Sequence, residues 1–343
     1  EILLCDWSSD VCSSDLARMN EVVLCPEGLR ARSENLWLDA RRKMPLSFVS
    51  HAHGDHIGRH EEALATAATL DLMRHRLRGA KTRPRPVAYG EVVRVGGLTV
   101  ELFPAGHILG SAQIRLTRNG HRTVYTGDLN TRTARTAEPL EVAECDTLVI
   151  ESTFGEPQYR FPPRAEVEEK MAAFAEITLL EGRVPVFLAY ALGKAQEATK
   201  ILCARGYRVR VHPDAWALCE IYQAHGVTFP GAAPLVEPPA PGEVVVSTPR
   251  GRSDPLLGPR VRVRTCFLSG WALTGGAPYR MHVDEALPLS DHADFDGLIE
   301  YVEATGASEV LTTHGSAAEL ARHLRARGIS ARALSPSPQL ELF

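Results

Sequence analysis

The sequence predicts a two-domain chain of mixed α and β structure, and three observations carry that expectation. The first is length: 343 residues exceed what a single hydrophobic core usually organises. The second is a series of short apolar segments, separated by Gly, Pro and charged turns, which reads as a meander of strands with helices interspersed. The third is a change of rhythm near Thr153, after which strand-like and helix-like segments alternate as in a parallel α/β unit.

In chain order, "LWLDA" and "LSFVS" read as strands, each ending at a polar residue. "RHEEALATAATLDLMRHRL" has helical composition and period, and "PVAYG", "EVVRVGGLTVELFPAGH", "SAQIRLTRNGHRTVYTGD" and "DTLVIEST" are strand-like. The Asn119-Gly120 pair predicts a tight hairpin, because both residues tolerate the positive φ that such a turn requires. Beyond Thr153, "RAEVEEKMAAFAEITLLEG" predicts a helix, "VPVFLAY" a buried strand, "GKAQEATKILCARG" a helix and "YRVRVHP" a strand. Residues 230–259 read as a turn-rich passage, followed by the strand-like "RVRTCFLSGW". "EALPLSDHADFDGLIEYVEATG", "EVLTTHG" and "AAELARHLRARG" then return to strand–helix–strand–helix. Residues 1–18, with "SSDVCSSDL" repeating Ser-Ser-Asp, read as a non-native or disordered leader, with Met19 as the natural start and residues 336–343 as a tail.

Composition excludes some functions. No apolar run approaches the length of a membrane span, so no membrane partner is expected. A formal net charge of −4 gives no support to a protein coated with nucleic acid, although it leaves room for a local basic groove. Seven cysteines are scattered singly, which points to reduced thiols and a cytoplasmic setting.

The chemistry concentrates in "SHAHGDHIGRH", residues 50–60. His51 and His53 alternate, so on an extended segment both point the same way. Gly54 then allows the chain to turn before Asp55 and His56. Imidazole and carboxylate donors without thiolate suit zinc, with manganese or iron as alternatives, and such a set can divide between two adjacent ions. His107 and Asp128 each stand where a strand-like segment hands over to a loop, and a carboxylate such as Asp128 can bridge two metals.

The order H-x-H-x-D-H, with His107 in "PAGHILGSA" and Asp128 in "TGDL", resembles the metallo-β-lactamase fold. Glu151 in "IESTFG", His292 in "LSDHADF" and His314 in "THG", with Asp39 of "LWLDA", narrow the resemblance to the β-CASP nucleases. "YALGKAQE", "SGW" and "SDHADF" are most like the bacterial exonucleases associated with DNA ligases and repair, within a group that includes mRNA 3′-end processing factors. The resemblance covers residues 21–330. It implies an αββα sandwich split into residues 19–154 and 286–335, with an α/β β-CASP domain, residues 155–285, inserted. It also implies that His51, His53 and His107 bind one zinc, that Asp55, His56 and His314 bind a second, and that Asp128 bridges them. Asp39 would orient ligands, and His292, paired with Glu151, would protonate the leaving oxygen after attack by a metal-bridging hydroxide.

The implied function is a dizinc phosphodiesterase, an exonuclease on DNA ends, with DNA ligase or helicase partners suggested by resemblance alone. Where that branch is rich in arginine, the segment "ALTGGAPYRMH" has only Arg280, so an RNA-processing ribonuclease stays open. A small-ester hydrolase has no use for Glu151, His292 and His314, and a silent binding subunit would have lost ligands that are all present here. Lys194 and Gln196 sit at an expected strand-to-helix turn that could receive phosphate, and Ser111 and Ser269 could touch substrate. His60 falls outside the family pattern at the start of the helical run, and the remaining histidines read as surface residues. Cys266 and Trp271 read as core.

Overall fold

Two sheets face each other across one apolar layer. The computed structural model describes residues 21–25, 27–258, 261–273 and 276–334, so the expected leader and tail lie outside the described residues. The first sheet runs in the order Val22–Cys25, Gly28–Ala31, Trp37–Leu38, Leu46–Phe48, Glu62–Ala65, Arg83–Pro86. The second runs Ala331–Ala333, Glu309–Thr313, Thr147–Glu151, His121–Tyr125, Ala112–Arg118, Leu98–Pro104, Val92–Val95. Leu38, Phe48 and Leu64 of the first meet Val100, Ile114, Tyr125 and Val149 of the second in one buried cluster. Helices Phe295–Thr305 and Ala317–Ala326 bury Leu298, Val302, Leu320 and Leu324 on the other face of the second sheet. Helix Ala67–Arg76 packs Leu72 and Met73 with Ala63 and Ala65 of the first. The layers are therefore helix, sheet, sheet, helix, the αββα sandwich that was expected.

The third sheet is wholly parallel, in the order Ala232–Pro234, Arg208–Val211, Glu243–Ser247, Val184–Leu188, Val263–Leu268, Glu285–Leu287. It carries helices Arg164–Leu180, Lys194–Ala204 and Pro213–Ala224. In sequence it interrupts the second sheet, because Thr147–Glu151 pairs in parallel with Glu309–Thr313. Ile108 and Leu109 of the sandwich share a buried cluster with Phe187, Leu192 and Leu202 of this α/β unit, so the two are packed together.

The Asn119-Gly120 hairpin forms as expected, with φ of 49° and 81° and His121 opposite Arg118. Other elements differ from the expectation. "PVAYG" is no strand beyond one bridge at Tyr89; the strand is Arg83–Pro86, whose two prolines are tolerated because it lies at the sheet's edge. The helical run that seemed to open at Arg59 begins only at Ala67, where Thr66 caps it, because Glu62–Ala65 is drawn into the sheet. Tertiary pairing there overrides the helix propensity of "EALA". The supposedly turn-rich passage contains Glu243–Ser247, an entirely buried interior strand whose β-branched valines are flanked by prolines. Helix Pro213–Ala224 and strand Ala331–Ala333 are further additions.

Gly127 sets the turn into Asp128 with φ 55°, and a Cβ there would lie 2.4 Å from the Cβ of Ser50. Gly127→Ala is therefore expected to lower unfolding free energy by about 1–3 kcal/mol, read as a shift of the urea midpoint at unchanged slope.

Candidate metal centre

The second sheet aims its carboxyl ends at one edge. Leu98–Pro104, His121–Tyr125, Thr147–Glu151 and Glu309–Thr313 run in the same direction and lead to His107, Asp128, Glu151 and His314. Leu46–Phe48 of the facing sheet leads to His51, His53, Asp55 and His56. His292 lies in the segment between Glu285–Leu287 and Phe295–Thr305. Seven ligand candidates and the expected acid pair are thereby collected from segments far apart in the chain.

His51, His53, His107 and Asp128 each offer one ligand atom, and these atoms lie within 4.8 Å of one another. His51 Nε2 is 3.4 Å from Asp128 Oδ2, and His107 Nε2 is 3.7 Å from it. His53 Nε2 faces the Leu192 carbonyl at 3.2 Å, and His107 Nδ1 faces the Asp291 carbonyl at 2.7 Å. A carbonyl only accepts, so each of those ring nitrogens carries the proton, and His53 Nδ1 and His107 Nε2 present lone pairs. Those two lone-pair nitrogens approach to 3.1 Å, and His51 Nε2 is buried without a hydrogen-bond partner. Converging lone pairs of this kind fit a cation and little else, so the residues fit a metal.

The second expected set is less tightly drawn. His56 Nε2 is 3.4 Å from Asp128 Oδ2 and 3.7 Å from Asp55 Oδ2, while the Asp55 side chain is 61 % exposed. The His314 ring is 5.7 Å from that of His56, and its buried Nδ1 has no partner. His314 adopts φ 59°, and Gly315 follows at 48°, where a Cβ would strike the Ser152 carbonyl oxygen at 2.5 Å. Such backbone strain is held only where packing enforces it.

Asp39 ties the centre together. Its carboxylate accepts from Ser50 N at 2.7 Å, Ser50 Oγ at 2.6 Å, His56 Nδ1 at 2.8 Å and the Tyr125 hydroxyl at 2.8 Å. On the other side, His292 Nδ1 meets Glu151 Oε1 at 3.0 Å, and His292 Nε2 lies 4.0 Å from Asp128 Oδ2. Glu151 also accepts from Leu129 N at 2.7 Å and Thr153 N at 3.3 Å.

Environment divides the imidazoles by charge. Burial disfavours the protonated form of His53 and His314 and takes both to about 4, and it also lowers His51 and His107. Burial opposes the charge on His292 too, but Glu151 outweighs it and raises that pKa to about 9. At His56 burial is outweighed by Asp128 and Asp39, to about 10. Glu151, against its own burial, is held at about 2 by His292, whereas burial lifts Asp128 to about 7.

The remaining candidates lie close by, but their polar atoms are engaged within the protein. Ser111 Oγ accepts from the backbone N–H of His107 and Ile108, holding the turn that presents His107. Ser269 Oγ accepts from Trp271 N. The Gln196 amide accepts from Gly193 N and donates to the Ala191 and Ala215 carbonyls. Lys194 is buried and paired with Asp291 at 2.8 Å. His60 is buried rather than on a helix, its Nδ1 accepting from Met44 N. Two expected surface histidines are also engaged: His212 caps helix Pro213–Ala224, and His225 pairs with Asp71 at 2.9 Å. Cys266 is buried as expected, but Trp271 is only half-buried, against Phe154. Sequence reasoning passed over Asp291, Tyr125 and the Leu192 carbonyl; for Asp291 the signal was its place beside His292 in "SDHADF".

Residues 26–184 match the model of the beta-lactamase superfamily domain. The chain is 41 % identical over 308 residues to a "Probable DNA ligase" of Opitutus terrae, covering 89 % of this chain and 30 % of that protein. It is 31 % identical over 177 residues to an "RNase J-like protein" of Methanocaldococcus jannaschii, covering 45 % of this chain and 42 % of that one. The chain thus spans less than half the length of these curated relatives. Its fold is similar to the crystal structure of a protein of unknown function from Enterococcus faecalis, with a TM-score of 0.54 at 16 % identity, covering 78 % of this chain and 74 % of that one. Residues 26–184 are therefore a domain of the beta-lactamase superfamily, folded as the metallo-β-lactamase sandwich that carries this His/Asp cluster.

Proposed function

We propose that this protein is a metal-dependent phosphodiesterase that trims nucleic-acid ends, with DNA the favoured substrate. The observation that carries the reading is the buried His292–Glu151 pair facing Asp128, a proton donor set opposite a cation-binding cluster. A departing sugar oxygen is a poor leaving group unless it is protonated, and this pair can supply the proton. The DNA assignment is supported by the ligase-named relative, which matches over most of this chain. RNA is the second reading, supported by the ribonuclease-named relatives. A DNA ligase partner and a cytoplasmic setting belong to the same proposal.

His51, His53, His107 and Asp128 would hold one divalent metal, preferably zinc given the imidazole-rich donors, and Asp55, His56 and His314 would hold a second. Bound there, the metals supply Lewis-acid stabilisation of charge on a phosphoryl oxygen and activate water. The chain's own groups do the rest. Asp39 locks the His56 tautomer, so that Nε2 faces Asp128. Glu151 accepts from His292 Nδ1, which leaves the Nε2 proton directed into the site for the leaving oxygen. We take residues 19–154 and 286–335 as one domain with 155–285 inserted, and on that division His292 follows shortly after the insertion. Among the described residues no helix is long and apolar enough to cross a membrane.

The test is incubation of the zinc-loaded chain with end-labelled single-stranded DNA, duplex DNA and RNA, with a chelator control. Failure to cleave any of these polymers at full zinc content sinks the reading. His292→Ala is expected to cut turnover by about 10²–10⁴-fold while bound zinc, measured by mass spectrometry, stays unchanged. Asp39→Asn, which leaves His56 Nδ1 with a poorer partner, is expected to weaken zinc affinity by about 10–100-fold in chelator competition while the far-ultraviolet spectrum is retained.

A further inference from the structure

We propose that Tyr190 is a stacking platform for an unpaired nucleobase beside the reacting phosphate, so that the end entering the site is single-stranded. This rests on the phosphodiesterase reading above. Tyr190 lies between strand Val184–Leu188 and helix Lys194–Ala204, in a segment built into the wall of the metal centre. Two residues on, the Leu192 carbonyl accepts from His53 Nε2. Gly193, at φ 82°, lies so close to Ile108 that a Cβ would meet its Cγ2 at 2.4 Å. Lys194 Nζ lies 2.8 Å from Asp291 Oδ1, and Asp291 is the neighbour of His292. The segment is therefore held by His53 itself and by the chain neighbours of His107 and His292.

On this anchored segment the side chains divide sharply. Ala189 and Leu192 are buried, while Tyr190 is 55 % exposed. Its ring is nonetheless oriented: the Lys194 ammonium is 5.3 Å from the centroid, and the Phe267 ring stands at 6.4 Å and 78°. An oriented aromatic ring left half open to solvent on an anchored backbone suits stacking on a flat ligand. Tyr279, the other exposed aromatic among the described residues, sits on helix Ala277–Met281 and has no such link to the centre. Every base has a π-face, so the platform tolerates any sequence, but a base must leave its duplex to use it. Lys194 and Gln196 were the expected ligand contacts of "YALGKAQE"; their hydrogen bonds hold the segment, and the tyrosine is the group it presents.

The experiment compares two labelled single strands of equal length and charge, one normal and one abasic at its terminal two nucleotides, so that phosphate attraction cancels. Binding to the zinc-loaded full-length chain is read by fluorescence anisotropy in the His292→Ala background, with DNA and RNA arms and a blunt duplex. With Tyr190 present, the normal strand is expected to bind roughly tenfold more tightly than the abasic one. Tyr190→Ala should bring that ratio to near one, and Tyr190→Phe should keep it, with melting temperatures confirming that both variants fold. An unchanged ratio in Tyr190→Ala, equal binding of normal and abasic strands by the unaltered tyrosine, equal binding of blunt duplex, or no binding at all overturns the proposal. Hydrolysis of bis(p-nitrophenyl) phosphate, a diester without a base, by the zinc-loaded chain with His292 intact separates the two readings. If that diester and every polymer survive, the phosphodiesterase reading fails; if it is hydrolysed but the ratio test fails, only the stacking role falls.

Discussion

A buried carboxylate facing four imidazoles is the constraint on which the rest of this structure depends. Asp128 Oδ2 stands 3.4 Å from the Nε2 atoms of His51 and His56, 3.7 Å from that of His107 and 4.0 Å from that of His292. Burying such a group costs several kcal/mol unless opposite charge is brought to it, and the lone pairs around it repel one another. The cluster would spread apart if the frame yielded. It is held by the left-handed turn at Gly127, by the strained backbone at Asp39 and His314, and by the hydrogen bonds that converge on Asp39.

One residue type serves two purposes here because its surroundings differ. His53 and His107 donate to carbonyls, stay neutral under burial and turn the other nitrogen toward the cluster. His292 donates instead to Glu151, and the carboxylate keeps it charged despite the same burial. At His53 and His107 a carbonyl partner leaves the imidazole neutral, whereas at His292 the Glu151 carboxylate favours the charged form; His56, paired with the Asp39 carboxylate, shares that preference while its Nε2 faces Asp128. The division arises from the atom that each Nδ1 or Nε2 meets.

The parallel α/β unit completes the site. The segment after Asp128 is clamped to it by Arg135 on Glu168, at 2.7 and 3.0 Å, and by Arg135 N and Thr136 Oγ1 on Glu197. Arg132 reaches Asp294 at 2.6 Å, just beyond His292, and the Leu192 carbonyl holds His53. These partly buried, charge-assisted contacts fix the distance between the ligand cluster and the acid more stiffly than apolar packing alone would.

The sequence by itself supplied the candidate donors. H-x-H-x-D-H after a strand, with His107 and Asp128 at strand ends, was legible from residue type and local period, whereas Glu151, His292 and His314 were singled out only by the resemblance to the β-CASP nucleases. The hairpin at Asn119-Gly120 was legible for the same reason, since its φ angles depend on those two residues. Elements set by distant neighbours were not: Glu62–Ala65 became a strand through pairing with Leu46–Phe48, and Glu243–Ser247 was concealed among prolines. Only the tertiary structure decided which nitrogen of each histidine is free, that Gln196 and Lys194 are engaged internally, and that Tyr190 stays open. Such facts depend on atoms brought together from far along the chain, as when Glu151 meets a histidine 141 residues away, and no local pattern encodes that distance.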